Sequence, residues 1–148
     1  LESAMKDGDM PQIIKEICAE RPDIGALACY LYDEIGVRAK KSPNIALSYK
    51  DLFSIVNGYK GCIQPEAYEQ VVYPAIQILC SPKVEFLKLN YWFIDDFHDP
   101  IELELEDVIE AEINQSLVNP FTGEIMYDYK SFVFPFFTLD ESKLKDIV

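Results

Sequence analysis

The chain has 148 residues, a net charge of −13 and 49% hydrophobic residues. This length suits one domain with a real core, and the composition is that of a globular chain rather than a disordered one. No apolar run approaches the roughly 20 residues needed to cross a bilayer, and the N-terminal residues do not resemble a signal peptide. We therefore expect a single domain over residues 1–148, located in the cytoplasm and without membrane contact.

The residues that most often carry catalysis or bind metals show no diagnostic spacing. Cys18, Cys29, Cys62 and Cys80 form no CxxC pair, so we expect four reduced thiols, buried or half-buried. The only histidine, His98, has no Cys or His near it in sequence, which argues against a zinc site. P-loop, GxGxxG and GxSxG motifs are absent. The sequence thus predicts a protein that is not an enzyme, with no cofactor and no metal.

The N-terminal third is typical of helices. Apolar residues at helical spacing predict a first helix over Met10 to Ala19, with Asp9 as its cap. A second helix is predicted to start at a cap on Asp23 and to end before a polar loop over Ala39 to Ala46.

A pair of helices joined by a turn follows. Ser48 and Asp51 have the spacing of a capping box, and the short helix after them should stop at Asn57-Gly58. A longer helix is predicted over Pro65 to Cys80, kinked at Pro74 because proline lacks an N–H and clashes with the preceding turn.

The pattern then changes to that of strands. A first strand is predicted over Val84 to Ile94, and a polar turn over Asp95 to Pro100. Ile101 to Glu106 alternates strictly between apolar and acidic residues, which predicts a second strand and a hairpin. Residues Asp107 to Gln115 fit either a continued strand or a short helix, and Leu117 to Tyr127 indicates a second hairpin.

An aromatic strand is predicted over Ser131 to Leu139, with Pro135 confining it to a sheet edge or a bulge. Both of its faces are apolar, so it belongs either in the core or in a contact with another subunit, the same chain or a different one. The candidate interface residues are Phe132, Phe134, Phe136 and Phe137.

The order of helix, turn, helix and hairpin over residues 23–106 resembles the winged helix-turn-helix superfamily. The resemblance implies an α+β fold with a helical extension over residues 1–22, a winged-helix-like core, and a C-terminal β extension of antiparallel hairpins over residues 107–148. It also implies that the helix from Pro65 would be the DNA-reading one. That helix carries Glu66 and Glu69 but no Lys or Arg, so we expect no direct nucleic acid binding.

The most unusual stretch is an acidic band, residues 90–129, which holds eleven acids and no Lys or Arg. Such a surface favours docking onto a basic protein partner, because opposite charges speed the encounter. The sequence therefore predicts a non-catalytic interaction module or accessory subunit. The candidate partner-binding residues are Asp95, Asp96, Asp99, Glu102, Glu104, Glu106 and Glu110.

Two alternatives remain open for the same acids. In a DNA mimic, carboxylates imitate phosphates and occupy a nucleic-acid-binding protein. In a metal-dependent enzyme, Glu102, Glu104 and Glu106 would share one strand face and bind a hard cation such as calcium or magnesium. A solvated strand face is the simplest interpretation of these three glutamates. A mimic needs a continuous acidic face, whereas a docking module needs an apolar centre with an acidic rim.

Overall fold

A computed structural model describes residues 10–139, which form an α+β fold of N-terminal helices followed by antiparallel strands, as predicted. The described residues divide between two compact units, a first unit of residues 10–88 with 137–139 and a second unit, Leu89–Phe136. The single-domain assignment stays a prediction. The elements are α1 (Met10–Ile17), α2 (Pro22–Lys41), β1 (Ala46–Leu47), α3 (Tyr49–Val56), α4 (Tyr68–Leu79), β2 (Leu87–Phe93), β3 (Ile101–Leu103), α5 (Leu105–Asn114), β4 (Leu117–Val118), β5 (Ile125–Met126) and β6 (Val133–Leu139).

The first unit is built around α2, which packs against α1, α3 and α4. Its buried side chains recur at helical spacing, so one side of the helix faces apolar neighbours along most of its length. The core of this unit also takes in the buried faces of α3 and α4. Its completely buried members include Ile14, Leu27, Ala28, Leu31, Ile35, Leu52, Val72, Ala75, Leu79 and Val84.

The N-terminal helices correct two details of the sequence interpretation. The residue before α2 is Arg21, while Asp23 lies inside the first turn, where its charge suits the positive end of the helix. The loop predicted from Ala39 was wrong, because α2 continues to Lys41 with Ala39 completely buried. The proposed cap on Asp9 lies outside the described residues.

The helix–turn–helix order is present in this unit. The capping box is confirmed: the Asp51 N–H donates to Ser48 Oγ at 3.1 Å, and the Ser48 N–H donates to the Asp51 carboxylate at 2.9 Å. The next helix begins with a 3₁₀ turn over Pro65–Ala67 and becomes α-helical as α4. Pro74 lies inside α4, as expected. The resemblance to the winged-helix superfamily stays a prediction.

The first predicted strand begins later than expected. Val84 and Phe86 are buried in the core of the first unit, but they precede β2 rather than belonging to it. Between them, Glu85 has a φ of +47°, in the left-handed region, and its N–H donates to the Ser81 carbonyl. This turn breaks the extended backbone, so β2 starts at Leu87.

In the second unit, β2 pairs antiparallel with β3 in the register Tyr91↔Leu103, Trp92↔Glu102 and Phe93↔Ile101. The predicted first hairpin is therefore present. The strand predicted over Ile101 to Glu106 was wrong in its second half, because β3 ends at Leu103 and α5 begins at Leu105. The region left open between strand and helix is therefore helical.

The second predicted hairpin is confirmed, with Leu117 paired to Met126 and Val118 to Ile125. The four-stranded sheet has the order β1-β6-β2-β3. β6 therefore lies between β1 and β2 and is not an edge strand. β1 is only two residues long and pairs with Phe137 and Thr138, so Pro135 has no partner residue in β1. No helix within residues 10–139 is both long enough and apolar enough to cross a bilayer.

Candidate functional site

The centre of the candidate site is α5, whose inner side forms part of the core of the second unit. Ala111 is buried with Phe93, Leu117 and Tyr129. The Tyr129 hydroxyl donates to the Ala111 carbonyl at 3.1 Å, close to the C-terminal end of the helix. These contacts fix the rotation of α5 about its axis and therefore decide which of its residues point outward.

The outward side of α5 carries three large apolar residues at intervals of four, which we call the α5 stripe. Leu105 is 59% exposed, Ile109 50% and Ile113 75%. Scattered apolar side chains are common on protein surfaces, but three in one line form a continuous apolar surface. At a rise of about 1.5 Å per residue, the stripe spans about 12 Å along the helix.

Glutamates border the α5 stripe on both sides. With about 100° of rotation per residue, Glu106 lies about 60° to one side of the centre of the stripe and Glu112 about 60° to the other. Glu110 lies beyond Glu106 on the same side, and all three are exposed. The last turn of α5 has no basic residue to offset the negative end of its dipole. The arrangement is an apolar centre with an acidic rim.

A groove of about 460 Å³ lies between α5 and the β4–β5 hairpin. Asp107, Glu110 and Asn114 line it from the helix, and Val118 and Ile125 from the hairpin. Both of these hairpin residues are largely exposed. Glu110 therefore belongs both to the rim of the α5 stripe and to this groove, so the apolar and acidic surface continues from the helix to the hairpin.

The structure separates the three glutamates that were expected on one strand face. Glu102 is in β3, Glu104 immediately precedes α5 with an extended backbone, and Glu106 is in the first turn of α5. The prediction that these three glutamates share one strand face, which motivated the cation site, was therefore wrong. Among residues 10–139, no group of three or more His, Cys, Asp or Glu side chains is placed to hold a metal ion.

The Asp95 carboxylate is hydrogen-bonded within its own loop. Asp96 and Asp99 of the same loop are exposed. One carboxylate oxygen of Asp95 accepts from the N–H groups of Phe97 and His98, at 3.0 and 2.8 Å. The other lies 2.9 Å from His98 Nδ1. The hydrogen bond from His98 is the main cause that holds the pKa of the Asp95 carboxyl below its usual value. Asp95 therefore stabilises the β2–β3 loop.

The His98 ring stacks on Phe121, with ring centroids 4.0 Å apart and planes 6° apart. Phe121 belongs to the loop between β4 and β5, and it also contacts Phe93 of the core. The histidine therefore links the two hairpin loops of the second unit and has a structural explanation that requires no catalysis.

The predicted interface phenylalanines have different environments. Phe132 stacks on Phe93 at 5.9 Å, and Phe137 is 1% exposed with its ring edge-on to Tyr49 at 5.0 Å. Phe136 is half-buried, while Phe134 is 41% exposed. Two of the four thus pack within their own chain, and Phe134 offers the largest free surface for a subunit contact.

All four cysteines are free in the structure, and their redox state stays a prediction. Cys18 is buried. Cys80 is partly buried, and this burial raises the pKa of its thiol to about 11, which keeps it protonated. Cys62 was expected to be at least half-buried but is exposed, with the Gln64 amide 3.5 Å from its sulfur.

A cleft of about 700 Å³ occurs in the first unit, where the end of α1 and the start of α2 meet α4. Ile24, Pro74 and Ile78 supply apolar walls, and Arg21 at its edge is paired with Asp23 at 2.9 Å. Glu16, Cys18 and Glu20 also line the cleft, but no group of three or more His, Cys, Asp or Glu side chains in the described part of the chain is placed to hold a metal ion.

Comparison with protein-family models, with curated proteins and with solved structures found no significant match for this chain. The function must therefore be argued from the site itself.

The sequence interpretation missed the α5 stripe although its signal was present. Leu105, Ile109 and Ile113 are spaced by four, which is typical of one side of a helix. The alternation of Ile101 to Glu106 assigned Leu105 to a strand and so hid the first member of the series.

Proposed function

We propose that this protein is a non-catalytic protein-interaction module, or an accessory subunit, that docks onto a basic partner through the second unit. The observation that carries the proposal is the exposed α5 stripe between glutamates on both sides. An apolar centre supplies binding free energy when a partner covers it. Charged residues at the rim favour a partner of opposite charge and speed its association.

The same observation favours docking over DNA mimicry. A mimic presents carboxylates where a duplex presents phosphates, and the three aligned apolar side chains of the α5 stripe would interrupt that acidic surface. The proposal retains the winged-helix resemblance, in which such domains also serve as protein-docking modules. α4 carries no Lys or Arg to contact phosphates, and Glu66 and Glu69 near its start are exposed. The proposal includes a cytoplasmic location, where the four thiols would stay reduced.

The test is affinity capture from the native host with matched variants. A partner should be retained by the wild type and by Val37→Gln, which changes a residue of α2 that is 51% exposed. It should be lost with Ile109→Gln and should dissociate as salt is raised. Identification by mass spectrometry should give a protein with a basic surface. A partner that binds Ile109→Gln normally but is displaced by duplex DNA would overturn docking in favour of mimicry.

A further inference from the structure

We infer that the partner element covering the α5 stripe is a basic amphipathic helix, an inference that rests on the proposed docking function. The stripe, its rim and the groove beside it are the observations that define the occupant. Each excludes a class of alternative on physical grounds.

The shape of the stripe favours a helix as the occupant. Residues four apart form one of the ridges that pack into the grooves of a second helix. The backbone of α5 is already hydrogen-bonded within the helix, so its outer side offers no edge to which an extended peptide could pair. An extended segment laid on Leu105 and Ile109 would leave its own N–H and C=O groups without partners. A helix satisfies those groups internally and presents only side chains.

The charge around the stripe requires a basic occupant. Glu106 and Glu112 lie on opposite sides of the apolar line, and Glu110 extends the rim toward the groove. Lys or Arg side chains on a partner helix could lay their methylene stems along Ile109 while their charged ends reach these carboxylates. The uncompensated negative end of the α5 dipole adds to this preference near Ile113.

The same charges argue against the two simplest other occupants. A second copy of this chain would bring glutamates against glutamates along both sides of the contact, and opposed like charges are destabilising. An anionic membrane surface would repel the rim in the same way. A partner helix with apolar residues three and four apart, bordered by Lys or Arg, meets both the apolar and the electrostatic requirement.

The experiment uses the 148-residue chain and a peptide of about 18 residues, long enough to form a helix on binding. It contains only leucine and lysine, with leucines at helical spacing. A second peptide has the same composition in an order without helical periodicity. Fluorescence anisotropy should show that the first binds at least about tenfold more tightly than the second, since only the first buries a continuous apolar side. Equal affinity would overturn the helix inference and leave charge-driven docking intact.

Matched variants locate the contact. Ile109→Gln should weaken binding of the first peptide by about tenfold, while Val37→Gln should not change it. Glu110→Lys with Glu112→Lys should weaken binding of the lysine peptide and create binding of its glutamate counterpart, a gain that misfolding cannot produce. A lysine peptide that binds all variants equally would overturn the inference.

Sedimentation of the wild type provides the remaining outcome. A dimer that dissociates with Ile109→Gln would show that a second copy covers the stripe, which overturns the inference. If the captured native partner requires Ile109 but neither peptide binds, the proposed function stands and the helical occupant is wrong. If no native partner depends on Ile109, the proposed function itself fails.

Discussion

The phenylalanines of the aromatic strand differ in what their removal should cost. Phe137 is 1% exposed and packs edge-on against Tyr49, so Phe137→Ala should lower the free energy of unfolding by about 3–5 kcal/mol through lost contacts and a cavity. Phe134 is exposed, and Phe134→Ala should change the free energy of unfolding by only about 0.5 kcal/mol. Urea unfolding measures both. An equally large, concentration-dependent loss for Phe134→Ala would instead place that residue in a subunit contact.

The environment of Asp95 should make the stability of the protein depend on pH in the acid range. Because the hydrogen bond from His98 lowers the pKa of Asp95 in the folded protein, the folded state binds this proton less readily than the unfolded state. The resulting stabilisation is present above the unfolded pKa of about 4 and is lost as the pH falls through the lower folded pKa. Asp95→Asn should therefore lower the melting temperature at about pH 6, and the difference from wild type should shrink toward pH 2.

The control for this prediction is Asp99→Asn, which removes an exposed acid from the same loop. It changes the net charge by the same amount but removes none of the three bonds made by Asp95. Melting curves for both variants across the acid range distinguish the hydrogen-bonded carboxylate from general repulsion. Parallel curves for the two variants would contradict a structural role for Asp95.

Within α5, two glutamates of equal charge should have opposite effects on stability. Glu106 lies in the first turn, where a negative charge stabilises the helix, and Glu112 lies in the last turn, where it destabilises it. Glu106→Gln should lower the free energy of unfolding by about 0.3–1 kcal/mol, and Glu112→Gln should raise it by a similar amount. The Glu112→Gln side chain keeps an oxygen acceptor for the Tyr129 hydroxyl, which lies 3.5 Å from the Glu112 carboxylate in the wild type.

The fluorescence of Trp92, the only tryptophan, reports on this unit because Trp92 lies in β2 and pairs with Glu102. Urea titrations of the two variants provide the measurement. A loss of stability in both would mean that side-chain contacts outweigh the helix dipole in α5.

Local chemistry explains which elements the sequence could predict. The capping box needs only Ser48 and Asp51, three residues apart, and it is present. Proline and glycine likewise marked the turns around α3 and α4. These features depend on neighbouring residues, so the sequence carries them without knowledge of the rest of the fold.

The candidate site could not be predicted in the same way. Leu105 fits both the alternation of a strand and the four-residue spacing of a helix. Burial of Ala111 in one cluster with Phe93 favours the helix, and Phe93 lies in a strand well before α5 in the chain. Glu106 and Glu110 of the rim were among the predicted partner-binding residues, but Glu112 was not. The apolar centre between them depends on tertiary packing, so the sequence alone did not identify it.

Across the whole molecule, the negative charge is concentrated in one unit. Residues 89–136 contain eleven acids and one base, Lys130, while the remaining residues contain fifteen acids and twelve bases. Neither α4 nor the β2–β3 hairpin offers a cluster of cations. We therefore expect no binding to duplex DNA tighter than micromolar at about 150 mM salt, because phosphate binding requires cationic groups. An anisotropy titration with labelled duplex checks this expectation.

The position of the acids, as well as their number, should control how fast a basic partner associates. Replacing Glu102, Glu104 and Glu106 with glutamine changes the net charge from −13 to −10 close to the α5 stripe. It should slow association of the leucine–lysine peptide at low salt, and the difference should vanish near 1 M salt, where the Debye length is about 3 Å.

The matched control makes the same change in net charge elsewhere. Glu20, Glu66 and Glu69 are exposed glutamates of the first unit, and replacing all three with glutamine also gives −10. If steering is local to the acidic band, the control should retain a rate close to wild type, because its three glutamates lie outside the band in sequence and belong to the other unit. Stopped-flow measurements at several salt concentrations provide both rates. Equal slowing in the two variants would show that only the net charge attracts the partner, and the acidic rim would then lose its directing role.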